Sequence, residues 1–195
     1  MVEHIKGSGM RGVDVIGPGL LVASPQLNDP FFSRTVVLLC RHEYDGAMGV
    51  VINRSTDVRL ETVLEELDLE LPFNLTKTVM WGGPVEPSRG TLVFRSGLAD
   101  HTTEAIDVST EVRISGSLEV LTKLASSDKN DWSLYLGYAG WGPGQLDKEI
   151  TEGSWIVLPL DADTVFQMPL DERYDRCLAS LGVDASMLFM MPVDE

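Results

Sequence analysis

Residues 35–54 read TVVLLCRHEYDGAMGVVINR. The run from Thr35 to Cys40 is β-branched and apolar without a break, which predicts a central strand covered on both faces. Tyr44-Asp45-Gly46 is a turn signal, because Asp-Gly tolerates positive φ. Met48 to Asn53 then reads as the returning strand. An antiparallel hairpin follows, not the first half of a βαβ unit.

Working outward, Gly19–Ser24 reads as a short buried strand, ended by Pro25 and by an Asx-type turn at Asn28-Asp29-Pro30. Leu60, Val63, Leu64 and Leu67 recur at helical spacing, with Glu61, Glu65 and Glu66 outside and Pro72 as the stop. Strands are expected at Thr78–Trp81, Thr91–Phe94, Ile106–Val108, Val112–Ser115 and Ser154–Leu158. Ser117 is placed to cap a helix over Leu118–Ala125, with Leu118, Leu121, Thr122 and Ala125 on one face. Trp132–Tyr138 alternates as a half-exposed strand, with Ser133 and Tyr135 on the opposite face from Trp132. Gly142 is the expected N-cap of the next helix, with Pro143 at its first position. Asp171 opens a last helix with Tyr174, Cys177, Leu178 and Leu181 inward, and Gly182 stops it. Strands and helices without regular βαβ alternation indicate an α+β domain, its mostly antiparallel sheet curled toward a barrel.

The chain has 195 residues, of which 44% are hydrophobic, enough for one domain with a real core. Residues 1–16 are polar and Gly-rich and are expected to form a flexible extension ahead of a single domain over 17–195. The net charge of −15 argues against unassisted binding to nucleic acid or to an anionic membrane. Arg34, Arg41, Arg54, Arg59, Arg89 and Arg95 all precede residue 97, so an anionic partner is expected on the first half. The start of the chain lacks the apolar stretch of a secretory leader, and no apolar run approaches the ~20 residues that span a bilayer. A cytoplasmic location follows by elimination.

Two cysteines, Cys40 and Cys177, make no disulfide scaffold. No Cys/His spacing suggests zinc, and a three-His site would need His4 and His101 beside His42, so no metal is expected. Cys40 and His42 are two apart and share a face of a regular strand. They are the candidates for a thiol nucleophile or redox sensor. The alternative is a core cysteine and a strand-end histidine satisfied by the turn. Asn53 and Arg54 end the returning strand, where an arginine can receive a carboxylate or phosphate, or form a structural bridge. Gly140-Trp141-Gly142-Pro143-Gly144-Gln145 joins close backbone approach to a helix start. It contains neither Gly-Lys-Ser/Thr nor G-x-G-x-x-G, so no nucleotide cofactor is implied. It reads either as tight packing of the helix start on Trp141 or as a pocket with Trp141 as wall, Gln145 as hydrogen-bonding group and Trp81 opposite.

Three strings together resemble the YqgE/AlgH family of bacterial proteins: residues 19–54, GLLVASPQLNDPFFSRTVVLLCRHEYDGAMGVVINR; residues 81–86, WGGPVE; and residues 136–159, LGYAGWGPGQLDKEITEGSWIVLP. The departures lie before Gly17 and in the tail, Ser186-Met187-Leu188-Phe189-Met190-Met191-Pro192. The resemblance implies an α+β domain with a bifurcated sheet, part of it rolled into a small barrel and flanked by helices. It implies little about function. The family is largely without an assigned activity, and some members are labelled transcriptional regulators. The resulting expectation is a non-enzymatic binding or regulatory protein that contacts a small molecule or a protein partner and affects transcription indirectly. The thiol chemistry of Cys40 and His42 stands as the alternative.

Overall fold

The computed structural model describes residues 17–69, 76–99 and 104–182. The first 16 residues, Pro72 and the tail after Gly182 lie outside the described residues, as do the expectations attached to them. The strands are β1 (Gly19–Ala23), β2 (Val36–Glu43), β3 (Gly46–Val51), β4 (Ser55–Arg59), β5 (Thr78–Trp81), β6 (Val85–Arg95), β7 (Ala105–Asp107), β8 (Val112–Ser115), β9 (Trp132–Trp141) and β10 (Trp155–Pro159). The helices are α1 (Leu60–Glu66), α2 (Leu118–Ala125), α3 (Gln145–Thr151), α4 (Ala162–Phe166) and α5 (Leu170–Ser180).

The sheet runs β10-β1-β2-β3-β9-β6-β8-β7, mostly antiparallel and curled into a half-barrel, so the domain is α+β. β2 holds the central place foreseen for it, between β1 and β3, with Val36, Val37, Leu38 and Leu39 wholly buried. The sheet forks at β9. One flank of β9 pairs with β6 along most of its length. The other flank serves two partners: Tyr135 and Leu136 pair with β5, in parallel, and Ala139–Trp141 pair with β3, antiparallel. Gly82 sits in the crotch, where its N–H donates to the Leu136 carbonyl at 2.8 Å and its carbonyl accepts from Val51 N–H at 2.8 Å.

Glycine is required there for space. A Cβ on Gly82 or Gly83 would overlap the backbone of Gly137 or Tyr138, and a Cβ on Gly137 would overlap the Gly83 carbonyl. Gly137 also has φ +73°, which an L side chain adopts at a cost. The two faces of β9 serve different cores. Trp132 and Leu134 belong to a core with α1, α2 and Phe94, while Tyr135, Ala139 and Trp141 belong to the larger core under α3, α4 and α5. β9 is therefore not half-exposed as its alternation suggested, because Tyr135 is buried as deeply as Trp132.

Several local expectations are corrected. Gly144, not Gly142, is the N-cap of α3, since its left-handed backbone (φ +68°) turns the chain and leaves Pro143 in the loop. Leu118 is half exposed, and Val120 and Leu124 fill the core instead. β4 is a polar strand on the side branch with β5, without the alternation that would have marked it. α4 is a single short helix whose cap, Asp161, accepts from Thr164 N–H at 2.9 Å. Ser117 caps α2 as predicted, accepting from Glu119 N–H at 3.2 Å.

Candidate functional site

The predicted site residues fall into three groups that do not form one pocket. The first is the end of the hairpin. Asn53 Oδ1 accepts from Val36 N–H at 2.8 Å, and its amide donates to the Arg34 carbonyl at 3.0 Å. Arg54 donates to the carbonyls of Phe31 and Ser33, each at 2.7 Å, and lies 5.4 Å over the Trp81 ring. Phe31 stacks on Trp81, with ring centroids 6.5 Å apart. The Asx turn at Asp29 forms as expected, its carboxylate accepting from Phe31 and Phe32 N–H. Arg54 and Trp81 thus clamp the 28–34 loop, and the guanidinium is engaged by carbonyls.

The second group surrounds Glu149. One of its oxygens accepts from Trp141 Nε1 at 2.9 Å and from Trp155 Nε1 at 2.8 Å, and the other accepts from Gln145 Nε2 at 2.8 Å. Gln145 Oε1 in turn accepts from Gly142 N–H at 3.0 Å. Phe32, Trp141 and Trp155 pack mutually, with centroids 5.7 to 6.4 Å apart. Gln145 and Gly142 therefore complete a structural network. Glu149 is not among the predicted site residues, and its i, i+4 spacing from Gln145 was the available clue.

The third group is Cys40 and His42. Cys40 is the extra residue of a β-bulge, since Leu39 pairs with Gly49 and Arg41 with Met48. A bulge resets the alternation, so the argument that Cys40 and His42 share a face fails. The Cys40 thiol donates to the Leu38 carbonyl at 3.5 Å, and burial pushes its pKa up to about 12. His42 has 2% of its side chain exposed, and Nε2 lies 3.4 Å from Asp147 Oδ2 on α3. Cys177 is also buried, with its thiol pKa raised by that burial. Below pH 9 the folded Cys40 thiol holds its proton, while in an unfolded chain it begins to lose it. Iodoacetamide is therefore expected to label Cys40 of the folded protein at pH 8 at less than about a hundredth of its rate in urea. Comparable rates in the two states would restore the thiol reading.

An open cleft of about 550 Å³ remains beside the fork, lined by Arg41, Met48, Val85, Arg89, Tyr138 and Gly140 with Trp141. Its two arginines hold exposed partners only. Arg41 meets Asp45 at 3.1 Å and Glu43 at 3.6 Å, and Arg89 meets Glu86 at 3.4 Å while lying 5.5 Å over the Tyr138 ring. The Tyr138 hydroxyl donates to Glu86 at 3.2 Å, and desolvation followed by the Glu86 charge raises its pKa. Exposed pairs of this kind contribute ~0–1 kcal/mol, so an incoming carboxylate can take either arginine over. Gly140 and Trp141 are the only predicted ligand residues in this cleft, while the sequence placed Arg41 and Arg89 only among the six arginines of the first half.

The fold is a forked half-barrel of α+β class, and its glycine-rich strings build the fork. Comparison with known proteins gives the particular family. The profile described as AlgH-like matches residues 20–186, and the chain belongs to that family. It is similar to a UPF0301 protein of Thioalkalivibrio sulfidiphilus, 39% identical over 170 residues, covering 86% of this chain and 90% of that protein. A UPF0301 protein of Vibrio cholerae is 34% identical over 175 residues, covering 86% and 92%. Among solved structures, the solution structure of the AlgH protein from Pseudomonas aeruginosa matches with a TM-score of 0.73 and 34% identity, covering 98% of this chain and 100% of that one. The protein DIP2367 from Corynebacterium diphtheriae shares the fold, with a TM-score of 0.70 at 22% identity. Among the described residues, no helix is long and apolar enough to cross a membrane.

Proposed function

We propose that this chain is a non-enzymatic binding protein with a regulatory role, which it exerts by holding a protein partner in the Arg41–Arg89 cleft. The observation that carries this reading is the division of labour among the side chains. Those that suggested chemistry in the sequence are tied into structural bonds, whereas Arg41, Arg89 and Tyr138 surround an open floor with exchangeable partners. Two guanidinium groups in one cleft with Met48 and a tyrosine ring suit an acidic segment that carries an apolar or aromatic residue.

Regulation of transcription, where it occurs, is then indirect. The net charge of −15 disfavours the phosphate backbone, and direct contact with DNA would need a cationic surface. No band shift of duplex DNA is expected at ~150 mM salt. The test is capture of partners by the wild-type chain and by an Arg41→Glu/Arg89→Glu variant with an unchanged melting point. A specific partner retained by the wild type is expected to fall at least tenfold in yield with the variant. Equal capture by both, or a salt-resistant DNA band shift, would contradict the proposal.

A further inference from the structure

A different cleft, of about 310 Å³, is lined by the polar side chains of Lys77, Ser133 and Arg173 and by the apolar ones of Met80, Phe166 and Leu170. It shares no residue with the cleft at Arg41 and Arg89. Arg173 is 5% exposed. Its Nε donates to the Met168 carbonyl at 3.0 Å, a terminal nitrogen donates to the Ile52 carbonyl, and the Tyr135 hydroxyl is a further partner. Lys77 Nζ donates to the carbonyls of Asn130 and Trp132, each at 2.9 Å, and lies 4.8 Å over the Trp132 ring. Two of its three N–H donors are engaged in this way.

Neither cation forms an ion pair with a carboxylate among the described residues. Arg95, by contrast, is held by Glu111, Asp131 and Asp163 together. Asp131 is near enough to act on Lys77, but its oxygens accept from Arg95 Nε at 2.8 Å and from Gln167 Nε2 at 2.6 Å. A buried cation without a counter-charge is costly, and proteins normally pair it. Here the buried Arg173 and the half-buried Lys77 border one cavity, in a chain with twice as many acidic as basic side chains. Burial lowers the pKa of Lys77 to about 8 and that of Arg173 below its ordinary value, the response of cations held away from water without a neutralising partner.

We propose that this cleft is a binding site for a small organic oxyanion. Its charged head sits between Lys77, Arg173 and the Ser133 hydroxyl, and its apolar body lies against Met80, Phe166 and Leu170. The planar guanidinium and the point-charged ammonium suit either a carboxylate or a phosphate monoester, because both present several acceptor oxygens to converging donors. The apolar wall selects against bare inorganic ions.

The test is isothermal titration of the full chain with phenyl phosphate, benzoate, inorganic phosphate and phenol. Phenyl phosphate or benzoate is expected to bind saturably, more tightly than inorganic phosphate, and phenol is not expected to bind. The tighter of the first two identifies the head group. Lys77→Met is expected to weaken that binding at least tenfold, while Arg41→Gln/Arg89→Gln leaves it unchanged. Failure of both aromatic anions to bind overturns the proposal, as does equal affinity in Lys77→Met. If that variant does not fold, resonance shifts in the wild-type chain decide. Shifts centred on Thr78, Ser133 and Leu170 support the site, and shifts centred elsewhere overturn it.

Discussion

Gly137→Ala is expected to leave the chain unfolded, whereas Gly144→Ala is expected to fold with a loss of about 1–2 kcal/mol. The two glycines have nearly the same backbone, with φ +73° and +68°. The left-handed conformation therefore costs each alanine about the same, roughly 1–2 kcal/mol. Their surroundings differ. Nothing lies within 4 Å of a Cβ built on Gly144, whereas one on Gly137 meets the Gly83 carbonyl and lies 3.1 Å from that of Val85. These are backbone atoms of the strands that meet at the fork, so relief means moving β6 and the 82–83 turn away from β9. Losses above ~4 kcal/mol are exceptional and come from faults of this kind, in domains whose whole stability is ~5–15 kcal/mol. Urea unfolding followed by circular dichroism measures both variants. Equal losses would show that the fork accommodates a methyl group.

Glu149→Ala is expected to cost about 3 kcal/mol, because it removes the acceptor of two buried indole N–H groups at once. Trp141 is 7% exposed and Trp155 3%, and both donate to the same carboxylate oxygen. A buried donor left without a partner costs ~1–3 kcal/mol, and water admitted to the gap recovers part of it. At ~2–4 °C per kcal/mol, the melting point should fall by about 10 °C, with a red shift of tryptophan emission. Glu149→Gln keeps one acceptor oxygen for the indoles but turns an amide toward Gln145 Nε2, so an intermediate loss is expected. If Gln and Ala cost the same, the carboxylate's hydrogen bonds are not what holds the two tryptophans.

The hairpin, the buried β2, the Asx turn at Asp29 and the Ser117 cap were legible in the sequence because each is decided by neighbours within a few residues. The fork was not legible from the residues themselves. Glycines at 82, 83 and 137 announce a need for space, but not that the missing Cβ atoms would meet each other across the sheet. The resemblance to the YqgE/AlgH family supplied the bifurcated sheet that composition and spacing did not. The site was harder to read. Gly140-Trp141-Gly142 has the composition of a ligand loop, yet Glu149 already accepts from the Trp141 indole and Gln145 from the Gly142 N–H. The strand parity that placed Cys40 beside His42 was undone by one bulged residue, which no local signal marks. Arg173 had a clue, since it lies four residues before Cys177 on the inward face of α5, a position where a charge requires an explanation. Lys77 had none, because its cleft is assembled from segments far apart in the chain.

If the proposal for the Arg41–Arg89 cleft holds, the partner touches the cleft beside the fork and not the glycine-rich strings that build it. Amide hydrogen exchange of the chain, alone and in complex with its captured partner, tests this most directly. Slowed exchange at residues 41–48 and 85–89, with β1 and α5 unchanged, is the predicted result. Unchanged exchange in both of those segments, with protection appearing on α1 and α2 or around Gln145, would contradict it.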